Sequence, residues 1–130
     1  MKIYLLKYSI VLSFSFILVI SQSCDDTVTS SEIDNLVMPD SNVSYLKHIA
    51  PVFEVKCVPC HNDQRSDGGV NLSSWTNVTD PRLIIPGDDS SSVLVWTIER
   101  TYKPMPPLES LKRNHINGVR TWIREGAQYN

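Results

Sequence analysis

Apolar positions recur at spacings of three and four in three stretches of this chain, and no stretch alternates as a strand would. Leu46, Ile49, Val52 and Phe53 share one face of a helix predicted from Ser44 to about Cys60. Pro51 falls inside it, and either bends the helix or starts a new one at a first turn, where its missing N–H costs nothing. The serines at 90 to 92 precede Val93, Leu94 and Ile98, predicting a short capped helix through about Arg100. Ile116, Val119, Trp122 and Ile123 form the stripe of a last helix, roughly Arg113 to Glu125, with Gly126 as its stop. Gly118 inside it is unfavourable by about 1 kcal/mol relative to alanine, and suits close contact with another helix. Asn62 to Pro81 is loop-like, Gly68 and Gly69 allowing backbone shapes or close approaches that other residues resist. Pro86-Gly87-Asp88 reads as a turn. The predicted fold class is all-α, three to four helices with long loops.

The residues before this region behave differently. Lys2 and Lys7 flank an apolar run from Tyr8 to Ile20, which has the length of a signal-peptide core and is short for a bilayer span of about 20 residues. The run leads to Ser21-Gln22-Ser23-Cys24. Residues 1–23 resemble a bacterial lipoprotein signal, with Ser21 standing where such signals usually carry leucine. That resemblance implies lipidation of Cys24, and acyl chains would bind the chain to a membrane without spanning it. Ordinary cleavage, leaving Cys24 as a spare thiol, is the other reading. Residues 24–42 hold five acidic side chains and no Lys or Arg. They are predicted to form a flexible tether reaching on the order of 25 Å.

Residues 43–130 then form one small domain, with ten basic and nine acidic side chains. A charge so balanced and unclustered excludes a nucleic-acid footprint. A core this small calls for a disulfide, a metal or a cofactor as reinforcement.

Cys57-Val58-Pro59-Cys60-His61 meets that need. On a helix, residues three and four apart share a face, so both thiols and the imidazole can address one object. The C-x-x-C-H spacing is the c-type haem attachment signature: the thiols add to the two vinyl groups and His61 takes one axial position on iron. Three other readings stand beside it. Zinc wants a fourth nearby ligand. A redox-active disulfide usually sits near a βαβ pattern, which is missing here. Buried free cysteines also occur by chance in small cores.

The sixth position needs a donor. Met38 lies in the tether, so only Met105 belongs to the domain, between Pro104 and Pro106-Pro107. The following proline keeps Met105 out of helical geometry, and the flanking prolines limit the freedom the loop gives up to present its sulfur. His48 and His115 are the rivals, each reading as a surface or helix-end histidine. A soft sulfur opposite histidine favours reduced iron and closes the site to oxygen or peroxide, which points to electron transfer. Leu72, just past the glycine pair, is the candidate apolar wall of the haem site.

From Tyr45 to Ala127 the chain resembles the small class I cytochrome c domains of the planctomycete-type group. The matching features are Ile49-Ala50-Pro51, the pentad, Gly68-Gly69-Val70-Asn71-Leu72, Pro86-Gly87-Asp88 ahead of Ser92, Met105-Pro106-Pro107, and Trp122-Ile123 with Gly126-Ala127. The resemblance implies an all-α fold around one haem c, with His61 and Met105 axial. Lys112 departs from the pattern, standing where such domains often have a Ser or Thr cap. The expected protein is an exported monohaem cytochrome, lipid-anchored on the periplasmic side of a membrane or at the cell surface. It would pass single electrons between redox partners by transient docking, without being an enzyme on its own. The alternative is a haem-based ligand-binding or sensing module with a labile sixth ligand.

Overall fold

The computed structural model describes residues 28–130; the predicted leader and Cys24 lie outside the described residues. Helices and turns make up the described part. Its only sheet-like pairings are isolated bridges between His61 and Ser66 and between Ile85 and Asp88.

The predicted first helix is two elements. Tyr45–Ile49 winds as a π-helical turn capped by Ser44, whose hydroxyl accepts from the Lys47 N–H at 3.2 Å. It runs directly into α-helix Ala50–Lys56, which has Pro51 in its first turn, so the proline starts a helix instead of bending one. The wider turn also shifts the register ahead of it. Tyr45 is buried there, whereas Leu46, expected on the buried face, is 52% exposed.

The stretch expected as a tether departs from that expectation from Thr29 onward. Ser30–Asp34 forms a short helix, α1, making Ala50–Lys56 α2 in chain order. Thr29 and Glu32 close a capping box: Glu32 N–H donates to the Thr29 hydroxyl, and the Glu32 carboxylate accepts from Thr29 N–H at 2.7 Å. Ile33 is buried, and the Asp34 carboxylate pairs with Lys56 of α2 at 2.8 Å. Leu36 and Met38 pack against the core. Acidic composition suggested coil because the five apolar side chains among residues 25–42 carry little period.

Two further short helices follow. Trp75–Val78 (α3) sits within the expected loop, capped by the Ser74 hydroxyl, which accepts from Asn77 N–H at 3.2 Å. Val93–Ile98 (α4) begins where the serines predicted it. Ser92, at its cap, donates to the Asp88 carbonyl and accepts from Ile85 N–H, so its hydroxyl fastens the preceding turn rather than the helix.

Arg113–Arg124 (α5) carries its predicted stripe inward and ends at Gly126, whose φ of 96° suits glycine. Trp122 is 1% exposed and meets the Tyr45 ring at 5.5 Å, crossing the last helix over the first. The Asp89 carboxylate, bonded by Arg124 and by Arg120 at 2.6 Å, ties the turn before α4 to α5; these guanidinium partners hold the carboxyl below its usual range. Gly118 does approach a neighbour closely, though that neighbour is a side chain and not a helix. A Cβ there would lie 2.8 Å from both Cγ and Sδ of Met38.

Lys112 occupies the cap of α5 with extended backbone and no side-chain cap bond. Lys112→Ser is expected to stabilise the domain by about 1 kcal/mol, seen as a higher urea midpoint at unchanged m-value.

Candidate functional site

α2 stops at Lys56, four residues before the predicted end, because Pro59 has no N–H to give to a carbonyl one turn back. The pentad instead closes in overlapping turns. Cys57 and Val58 N–H both donate to the Phe53 carbonyl at 2.9 Å. Cys60 and His61 N–H return to the Cys57 carbonyl at 3.1 and 3.0 Å. The turn thus keeps the Cys57 and Cys60 thiols close enough to influence each other, with His61 next in the chain.

The loop after the pentad folds back on it. Asn62 organises the reversal, accepting from Gln64 and Arg65 N–H and donating to the Val58 carbonyl. Gly68 and Gly69 complete it with φ of 67° and 74°. Nothing lies within 4 Å of a Cβ built on either glycine, so they serve backbone shape and not close approach. Val70 and Leu72 are thereby returned to His61: Leu72 N–H donates to the His61 carbonyl at 2.8 Å, and the Val70 carbonyl lies 3.2 Å from His61 Nδ1. With its proton on Nδ1, the ring donates to Val70 and leaves the Nε2 lone pair bare. This is the arrangement by which proteins orient a metal-ligating histidine. Sequence reasoning missed Val70, because a main-chain carbonyl leaves no mark in residue type.

Cys57 and Cys60 are free thiols. Burial, reinforced by the neighbouring Cys60, pushes the Cys57 thiol up to about 12. Thiolate is the form that exchanges disulfides, so Cys57, held protonated by its burial, is poorly suited to that exchange. No group of three or more His, Cys, Asp or Glu side chains among the described residues is arranged to hold a metal ion. The donor set fits a porphyrin: two thiols for its edge and one oriented imidazole for its iron.

Leu72 is buried and also borders an open groove of about 540 Å³ with Phe53, Trp75 and Tyr129. Met105 lies on a separate loop and is half-buried. Its N–H donates to the Thr97 carbonyl at 3.0 Å, and Arg100 donates to the Pro106 carbonyl at 2.9 Å. Among the described residues, the hydrogen bonds of residues 101–110 go to α4 or within the loop, and none goes to the pentad. Of the rival histidines, His48 accepts from Ser44 N–H at 2.9 Å, which engages its Nδ1 at a helix start. His115 is not at the surface. It is 0% exposed, and neither ring nitrogen has a partner.

Residues 57–109 match the family described as Planctomycete cytochrome C. This stretch, somewhat under half of the chain, is similar to a planctomycete-type cytochrome c domain. The matched span covers the pentad, the glycine pair, Pro86-Gly87-Asp88 and Met105-Pro106-Pro107, and is narrower than the resemblance from Tyr45 to Ala127. At family level such a domain binds haem and carries electrons. No curated protein and no solved structure matches the chain. No helix among the described residues is long and apolar enough to cross a membrane.

Proposed function

We propose that this protein is an exported monohaem c-type cytochrome, held at a membrane surface by lipid on Cys24, that carries single electrons between redox partners. Haem bound here supplies a one-electron iron couple. Cys57 and Cys60 would hold it by thioether bonds, His61 Nε2 and the Met105 sulfur would be the donors to its iron, and Leu72 would shield it from water. The observation that carries this reading is the His61 ring, turned by the Val70 carbonyl so that Nε2 is bare, in the same short run of turns as two free thiols. Support for Met105 comes from its proline-bound loop and its place in the matched family span. Partners dock weakly and transiently, through a small interface beside the haem edge.

The test is the chain coexpressed with a haem-attachment system. It is expected to emerge coloured, one haem heavier than its peptide by mass, with distinct reduced and oxidised spectra. A colourless product at bare peptide mass overturns the reading. The second reading, a sensing module, draws on the same loop: with the hydrogen bonds of residues 101–110 going, among the described residues, to α4 and Arg100 and none to the pentad, the sulfur is the donor a small ligand would displace. The reduced wild type is expected to refuse carbon monoxide at neutral pH; binding would favour the sensor.

A further inference from the structure

The most unusual polar group in the described residues is His115, in the first turn of α5. Its ring is completely enclosed and makes no hydrogen bond, although imidazole offers one donor and one acceptor even when neutral. Burying such a group unpaired is costly, and burying its charged form, with two N–H groups to satisfy, costs far more.

The surroundings offer a proton little compensation. The Leu36 carbonyl lies beside the ring and favours its charged form, but it already accepts from Asn114 at 3.0 Å and does not meet a ring nitrogen with hydrogen-bonding geometry. The charged groups facing His115 are Asp34 of α1, Lys56 of α2 and Lys112 at the cap of α5. The single carboxylate is held by Lys56 at 2.8 Å, leaving the two lysines to oppose a third positive charge.

The cover over this face, residues 36–38, continues from α1, which rests on α2 through Lys56, bonded to Ser30 at 2.6 Å and to Asp34. α1 has five residues and one buried side chain, Ile33. The segment after it is fastened by the Asn114 bond and by Met38 lying on Gly118. The chain is clamped again at Asn42 and Val43, whose N–H groups donate to the Glu125 carboxylate at 2.7 and 2.9 Å. Residues 30–41 can therefore lift while the rest of the domain stays closed.

We propose that His115 is a pH-sensitive latch: neutral, it permits α1 and residues 36–38 to lie over α5, and charged, it drives them off. Burial holds its pKa below the ordinary histidine value, so the sign is fixed. Above about pH 6.5 both states are neutral and docking is independent of pH. Below it, the open state binds the proton more readily, and docking weakens by up to about tenfold per pH unit until the docked form also titrates. Asp34, kept below its usual range chiefly by its Lys56 hydrogen bond, lets go only at more acid pH, so the two events separate.

The consequence at a membrane rests on the reading of Cys24 as lipid-bearing. With α1 docked, residues 25–29 allow a separation of at most about 17 Å between anchor and domain. With α1 released, residues 25–42 act as a coil spanning about 25 Å on average and about 60 Å at full stretch. Acidity at the membrane surface would thus extend the carrier's reach to its partners.

The experiment follows the Ile33 and Met38 methyl resonances of the reduced, haem-loaded full chain between pH 7.5 and 5. The docking equilibrium is expected to weaken severalfold in the wild type as the pH falls and to stay flat in His115→Leu. Release of α1 over the same window in His115→Leu, or a wild type that stays docked throughout, overturns the latch. Because that variant can misfold, the His115 ring is titrated in the wild type as well, and a ring that charges with α1 still in place also overturns it. These signals report α1 alone and do not depend on lipid at Cys24, so failure of the latch and failure of the proposed function are separate outcomes.

Discussion

Met105→Ala is expected to lower the reduction potential of the haem-loaded protein by on the order of 100 mV or more, part of the roughly 0.8 V range that axial ligands command. Carbon monoxide, refused by the wild type, should then bind the ferrous form. The direction follows from the donor: a thioether is a weak, soft ligand that favours reduced iron, and its loss leaves either water or an open position. The structure also says why the fold should tolerate the change. Met105 sits on a loop joined to α4 through main-chain bonds, and its N–H to Thr97 survives the substitution. Far-UV circular dichroism should therefore remain as in the wild type. Identical spectra and potentials in wild type and mutant would remove Met105 from the site and turn attention to the buried His115.

The largest effect on stability is expected from Trp122→Ala, about 3–5 kcal/mol. Trp122 is 1% exposed, stacks on Tyr45, and donates its indole N–H to the Gln128 carbonyl at 2.9 Å. Truncation empties the crossing of the last helix over the first and strands that carbonyl. A small domain holds about 5–15 kcal/mol in total, so the haem-free variant is expected to be largely unfolded at 37 °C, judged by urea unfolding monitored by circular dichroism. Trp96→Ala is the control: that ring is 39% exposed, and its loss should cost under about 1 kcal/mol. Equal losses in the two variants would mean that the helix crossing is not where the stability lies.

The site was easier to read from sequence than the fold around it. C-x-x-C-H is a local pattern, and its chemistry survives whether the residues lie on a helix or, as here, in turns. The stripe of α5 was legible for a similar reason, since twelve residues give its period time to repeat. α1 and α3 are too short for that, at five and four residues. They are set by single contacts, such as Thr29 with Glu32 and Ser74 with Asn77, that periodicity does not weigh. His115 was misplaced because its seat depends on α1. A helix-start histidine is ordinarily wet, and only the segment folded across it makes it dry. The position of Val70 depends on two glycines with positive φ, a backbone fact that the residue names permit without specifying.

The joining of residues 43–46 to Glu125 and Asn130 bears on how the domain folds. Ser44, Tyr45 and Leu46 find their partners on Asn130, and Val43 on Glu125, across more than eighty residues of sequence. Contacts this remote form late, since the intervening chain must first be closed into a loop. Until that loop closes, the π-helical turn that leads into α2 lacks its fastening, so the segment that carries the two thiols is held in place only by one of the last contacts to form.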